Sequence, residues 1–311
     1  ARVVCIISLF ESEGVMKFER EVYNKNTKIE LNTNYSQRKG LLIAGGQGKR
    51  LAPLTNVFSK HLIPIYDKPM IYYALTNLML CGIKDILIIS DPVNFDLYNN
   101  LLSDGNHFGI NISYAIQEKP DGVAQSILIA EEFIDNRPIV VALGDNIFHG
   151  NELSSLFRSA DLCDKGSTIF ACLVSDPENY GVLDVDESGS IVDIIEKPDK
   201  PPSPYAVTGL YFYDNSVIKK AKELSPSIRG ELEISDINRK YLDEQRLNVE
   251  IFGRGIAWLD TGTIDALHEA SEYIRLLEHR QGLKVGCPEE VAWRQGWIND
   301  QQLSDLADNL S

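Results

Sequence analysis

Cysteine is scarce and scattered. The five, Cys5, Cys81, Cys163, Cys172 and Cys287, form no CxxC pair and no short-range framework. This excludes a metal-thiolate site and a disulfide scaffold, and it suits a reducing compartment. Positive charge is also short: 30 Lys and Arg against 45 Asp and Glu leave a formal net charge of -15. General nucleic-acid binding and polybasic membrane binding are disfavoured, because both use cationic surface to meet phosphate. Any phosphate this chain holds must meet a local cluster of cations. No apolar run approaches the roughly 20 residues a membrane-spanning helix needs. The first run, residues 3–10, is short, meets Glu11 and Glu13 at once and lacks a small-residue cleavage pattern, so no signal peptide is expected and the chain reads as cytoplasmic.

What is present is enough apolar content, 44% of 311 residues, for one large α/β domain or two modest ones. Residues 1–38, which open at Ala1 and carry Met16 as an alternative start, are expected to be an N-terminal appendage of unknown role. From Lys39 short apolar runs alternate with helical stretches, the α/β signature. Near-continuous apolar runs at 40–44, 86–89, 112–116, 139–143 and 168–174 predict strands of a sheet covered on both faces. Helices are predicted at 70–81, 95–102, 123–133 and 153–160, with crossover spacings that make the sheet largely parallel. Residues 181–186 and 191–196 read as a hairpin around Glu187-Ser188-Gly189, and a strand resumes at 206–213 after a Pro-rich break. Helices follow at 216–223, from near Leu232, along the stripe Ile264, Leu267, Ala270, Ile274 and Leu277, and twice more after Pro288. The expected division is 39–280 as the main domain and 281–311 as a C-terminal helical segment.

The most informative stretch runs from a strand into a glycine-rich turn with two cations, Leu42-Ile43-Ala44-Gly45-Gly46-Gln47-Gly48-Lys49-Arg50. Glycines let consecutive backbone amides approach phosphate oxygens closely. A Walker A loop would need Ser or Thr after Lys49, and a dinucleotide GxGxxG begun at Gly46 would need glycine at Leu51, so both better-known loops fail on spacing. The plain alternative is an ordinary strand-to-turn glycine cluster. Lys60, in Ser59-Lys60-His61, is a candidate second cation, with a solvated surface lysine as its bland counterpart. Asp145 follows the strand 139–143, at the sheet edge where ligands of open α/β folds bind. A carboxylate there suits magnesium, which takes one or two carboxylates plus substrate oxygens. Asp260 is a second candidate, with an N-cap for the next helix as the competing role and Thr263 as rival for that cap. Glu196-Lys197 closes another strand, either as a phosphate anchor or as a solvated ion pair. Gln117 and the turn ending at Gly122 can present an amide and a backbone to a base edge.

Taken in order with Tyr66-Asp67-Lys68-Pro69-Met70-Ile71-Tyr72-Tyr73, Leu143-Gly144-Asp145-Asn146, Tyr205-Ala206-Val207-Thr208-Gly209, Arg229-Gly230-Glu231-Leu232-Glu233 and Trp258-Leu259-Asp260-Thr261-Gly262-Thr263, these segments resemble the sugar-nucleotide pyrophosphorylases, most closely the glucose-1-phosphate thymidylyltransferase branch, over residues 39–305. The resemblance implies a Rossmann-like nucleotidyltransferase fold: a mostly parallel mixed sheet flanked by helices, with a sugar-binding half and C-terminal helices. It implies magnesium-dependent transfer of a thymidylyl group from dTTP to glucose 1-phosphate, the first step toward dTDP-rhamnose and related sugars. It places Gly45, Gly46, Gly48, Lys49, Arg50, Lys60 and His61 around the triphosphate, and Gln117 and Gly122 at the base. Asn146, Tyr180, Gly181, Glu196, Lys197, Val207 and Arg229 fall around the sugar phosphate, and Asp145 and Asp260 on the metal. Arg50, Lys60, Asp145 and Lys197 would carry the catalysis. A homotetramer and dTDP-rhamnose as feedback inhibitor are implied too. Lys49 stands where the family usually has Thr, His61 where it has Gln, and Glu118-Lys119 where it commonly has Pro-Ser. Another triphosphate or sugar phosphate, or a nucleotide-sugar-binding regulatory homologue without turnover, stays open beside this reading, while a Rossmann dehydrogenase is disfavoured by the failed glycine spacing.

Overall fold

The structure is a computed structural model that describes residues 36–46 and 48–308. The expected appendage therefore lies outside the described residues up to position 35, as does Gln47 of the glycine-rich turn. Strands β1 (Lys39–Ile43), β4 (Asp85–Ser90), β5 (Asn111–Ile116) and β6 (Ile139–Leu143) form a parallel block in the order β5-β4-β1-β6, with β2 (Pro64–Ile65) and β3 (Lys68–Pro69) a small hairpin apart from it. The helices Ile71–Leu80, Phe95–Leu102 and Val123–Ile129 connect the block, and the expected single helix over 123–133 is broken at Ala130, with Glu131–Ile134 as a separate turn.

Alternate residues along β1 and just past its end point to opposite sides: Leu42 and Ala44 enter one apolar cluster, Leu41 and Ile43 another. Both faces of the block are therefore buried, which is why its strands read as continuous apolar runs. After β6 come β7 (Asn146–Gly150), the helix Leu153–Leu162 and β8 (Ser167–Leu173). β9 (Gly181–Val185) and β10 (Ile191–Glu196) form the expected antiparallel hairpin, closed by the Asp186 carboxylate accepting from the amides of Ser188 and Ser190. Strand β11 (Tyr205–Tyr213) runs antiparallel to β6, β8 and β9, so the sheet is parallel in its first half and mixed beyond it.

The helices Val217–Lys222 and Ile234–Asp243 follow, then β12 (Leu247–Ile251) parallel to β8, and β13 (Ile256–Asp260), which pairs antiparallel with β7 away from the main sheet. The amphipathic stripe forms the helix Ile264–Gln281, and the C-terminal pair is Pro288–Arg294 and Asp300–Asp308. Arg38, at the end of the expected appendage, is buried and donates to the backbone carbonyl of Tyr213 at 2.8 Å. Among the described residues no helix is long and apolar enough to cross a membrane.

Candidate active site

The carboxyl ends of β1, β5 and β6 carry the glycine-rich turn, Gln117 and Asp145 to one edge of the sheet. Adjacent parallel pairing does this: Ile43 lies opposite Leu143, and the Gly144 amide donates to the Ile43 carbonyl at 2.9 Å. Such a switch point, where connections diverge to opposite faces, is where open α/β sheets take ligands. In the turn, Gly46 and Gly48 hold positive φ of 109° and 55°, a conformation other residues reach only with strain. Lys49 and Arg50 stand exposed in the short 3-10 turn Lys49–Leu51.

Asp260 comes to Asp145 through β7 and β13, where Asp260 lies opposite Asn146. Thr261 completes the junction, its hydroxyl donating to the Asp145 carbonyl at 2.8 Å. The helix cap belongs to Thr263, whose hydroxyl accepts from the Ala266 amide at 3.2 Å, so Asp260 is not spent on capping. A methyl group built on Gly262 would stand 2.8 Å from a guanidinium nitrogen of Arg50 and 3.0 Å from an Asp260 oxygen, which locates Arg50 above the second carboxylate.

The two carboxylates differ in partners. Asp145 accepts from the Lys60 ammonium on one oxygen and from the Asn146 amide at 2.8 Å on the other. Burial alone would raise its pKa, but Lys60 and these hydrogen bonds hold it well below the usual carboxylate range. Asp260 is pushed up to about 6, first by burial and then by the charge of Asp145, with Lys60 and Arg50 opposing. Among the described residues no group of three His, Cys, Asp or Glu gathers as a metal cluster. Two hard carboxylates fit a cation that completes its shell with substrate oxygens and water, as magnesium does.

His61 is buried. It is 3% exposed, with burial lowering its pKa to about 4, and its Nδ1 meets the Tyr98 hydroxyl at 3.3 Å. Tyr98 in turn donates to the Ala44 carbonyl at 3.2 Å and bonds Ser59 at 2.5 Å, so His61 braces the base of the turn as a neutral ring. Lys60, which taken alone reads as a solvated surface lysine, is buried. Gln117 is buried as well, donating to the backbone carbonyl of Gly122 at 3.2 Å and to the side-chain oxygen of Gln125 at 2.5 Å, with its own oxygen beside Gly45.

On the other side, Glu196 accepts from Ser235 at 2.5 Å, pairs with Arg229 at 3.4 Å and lies 4.0 Å from Lys197. Gly181 abuts Glu196, Ser235 and Val207. Lys197 holds φ at 42°, fixed by its amide bonding the Tyr180 carbonyl at 2.9 Å. Tyr180 packs edge-on against Trp258 at 5.0 Å, and Trp258 donates to the Asn146 side chain at 2.5 Å. Trp258 and Ser235 were missed in the sequence. A half-buried indole needs an acceptor for its N–H, and that was the available signal.

The chain belongs to the nucleotidyl transferase family, whose model matches residues 39–275. It is 55% identical over 272 residues to a glucose-1-phosphate thymidylyltransferase of Xanthomonas campestris pv. campestris, spanning 88% of this chain and 92% of that one. A Mycobacterium tuberculosis glucose-1-phosphate thymidylyltransferase is 52% identical over 270 residues, 86% of this chain and 93% of its own length. Among solved structures, a Bacillus anthracis protein assigned as a glucose-1-phosphate thymidylyltransferase, crystallised with sucrose, superposes with a TM-score of 0.71 at 40% identity, covering 76% of this chain and 95% of the other.

Proposed function

We propose that this chain transfers a thymidylyl group from dTTP to α-D-glucose 1-phosphate, giving dTDP-glucose and pyrophosphate. The observation that carries the reading is the meeting of Asp145, Asp260, Lys60 and Arg50 at the strand end beside a glycine-rich turn. The nucleotide and sugar are supported by the relatives' activities.

In this reading the amides of Gly45, Gly46 and Gly48, with Lys49 and Arg50, receive the triphosphate, and Gln117 with the Gly122 backbone meets the base. Asn146, Tyr180, Gly181, Glu196, Val207 and Arg229 receive the sugar, and Lys197 holds its phosphate. Asp145 and Asp260 would hold Mg2+, which supplies charge neutralisation on substrate phosphates when bound. A phosphate oxygen of the sugar 1-phosphate attacks the α-phosphorus in line, the new O–P bond forms, the bond to the β-phosphate oxygen breaks, and pyrophosphate departs. Little covalent chemistry falls to the protein, which positions the reactants and stabilises charge. Arg50 faces the leaving group and Lys197 fixes the nucleophile. The same reading carries a homotetramer, a dTDP-rhamnose feedback site and a cytoplasmic location, the first two open to light scattering and titration.

The test is pyrophosphate release from the purified chain with glucose 1-phosphate, Mg2+ and each of dTTP, UTP, CTP, ATP and GTP in turn. Release with dTTP foremost is expected. Release with another triphosphate alone moves the nucleotide assignment, and silence with all five alongside dTDP-sugar binding favours a non-catalytic role.

A further inference from the structure

The Asp145 carboxylate has both oxygens taken, by partners that differ in their freedom to leave. Its Oδ1 accepts from Asn146 at 2.8 Å, and Asn146 cannot turn away. The Asn146 amide oxygen is fixed by two donors, the Trp258 indole at 2.5 Å and the Gly209 backbone at 2.9 Å, which leaves its NH2 group aimed at Asp145. Asn146 is 3% exposed and fills the space a methyl group on Gly209 would need, 2.6 Å away. The other oxygen, Oδ2, is held by the Lys60 ammonium, at the end of a four-carbon stem with rotamers to spare. That stem passes under the phosphate turn: a methyl group on Gly48 would meet the Lys60 Cβ at 3.2 Å.

We infer that Lys60 is a built-in stand-in for the metal ion, holding the Asp145 oxygen the ion needs and leaving it when a phosphate group in the glycine-rich turn draws the ammonium away. The inference rests on the metal role proposed above for Asp145 and Asp260. A cation entering without phosphate must break a part-buried ion pair and strand a lysine that is 9% exposed, which is costly. When a di- or triphosphate occupies the turn, the displaced ammonium finds new oxygens nearby. Metal and phosphate affinities are thereby coupled through one side chain, and by linkage the coupling acts equally in both directions. Free metal is excluded from the site, while the two half-buried carboxylates stay neutralised between turnovers.

The test uses Mn2+ as the probe on full-length, nucleotide-free protein, with free Mn2+ read by electron paramagnetic resonance. Wild type is expected to bind weakly. Lys60→Met should bind Mn2+ about tenfold more tightly, within the usual range of site-to-site coupling, and Lys60→Arg, which keeps the cation, should stay as weak as wild type. Because removing Lys60 exposes two carboxylates to each other, Lys60→Gln is run in parallel. Its amide still donates to Asp145 without charge, and it too should bind more tightly than wild type. Thermal midpoints with and without Mn2+ give a second reading, with a larger Mn2+-induced rise expected in both neutral variants. Neutral variants that bind no more tightly than wild type overturn the inference. Asp145→Asn separates the two levels: undiminished Mn2+ binding there would remove the metal site itself, whereas loss there with no gain at Lys60 would remove the stand-in role alone.

Discussion

The two sides of the site are built by opposite means. Around Asp145 the polar partners are already paired within the chain: Lys60 and Asn146 on the carboxylate, Trp258 and Gly209 on Asn146, Thr261 on the backbone. Around the glycine-rich turn, Lys49 and Arg50 are exposed, and neither forms an ion pair with a described residue. The first side is organised by strand pairing and has its geometry before any ligand arrives, which is what electrostatic catalysis requires. The second side keeps Lys49 uncommitted and sets Arg50 over Asp260, so its order is completed by an anion. Chemistry should fail abruptly when the first side is changed, and affinity should slide when the second is.

The largest expected effect is at Asp145. Asp145→Asn keeps the shape but removes the charge and one of the two acceptors that Lys60 and Asn146 use, and pyrophosphate release should drop by roughly a thousandfold or more, as when a central electrostatic group is lost. Near-normal turnover with an unchanged circular dichroism spectrum would break the comparison at its strongest point. Gly122→Ala comes next and acts on the fold. Gly122 holds φ at 107°, and a methyl group there would stand 2.3 Å from the Leu232 carbonyl oxygen, a backbone atom that cannot yield cheaply. The strain and overlap together should cost about 3 kcal/mol, read as a lower urea midpoint.

How much of this was legible beforehand follows from the same contrast. The strands of the parallel block are covered on both faces, so their apolar runs stand out, and the 139–143 expectation matches β6 residue for residue. Asp145 was legible because it follows such a strand. β7 and β13 were not read as strands: Asn146-Ile147-Phe148-His149-Gly150 mixes polar ends with a short apolar centre, and its partner lies far along the chain. The convergence of Asp145 with Asp260 depends on that pairing, so it could enter only through family resemblance. Lys60 misled in the other direction. A lysine before an apolar run looks solvated, yet the short turn Lys60–Leu62 folds it, with His61, beneath the phosphate loop. Local propensity carries no information about what a neighbouring turn will cover.

A smaller effect distinguishes the two carboxylates by pH. Asp260, raised to about 6 in the folded chain by burial and by Asp145, binds its proton more tightly folded than unfolded. Its contribution is therefore fully present below the unfolded carboxylate value near 4 and is lost as pH rises through about 6. Asp145, held low by Lys60, works in the opposite sense, and its contribution is lost only in strong acid. Asp260→Asn should thus flatten the decline in denaturation midpoint between pH 4 and 6, by on the order of 2 kcal/mol at most. A decline of unchanged slope in the variant would mean that Asp260 is not the carboxylate set apart by its surroundings.

The smallest effect is expected at Lys49. Its side chain is exposed and unpaired within the described residues, so its attraction for a triphosphate passes through water and is screened by salt. Lys49→Ala should raise the KM for dTTP by about threefold at low ionic strength, with kcat unchanged, because the charge contributes equally to bound substrate and transition state. The difference should fade as salt approaches roughly 0.5 M, where the screening length shrinks to a few ångströms. A fall in kcat that salt does not erase would place Lys49 with Arg50 on the developing charge, and the turn would then belong to the preorganised side of the site rather than to the side that waits for its ligand.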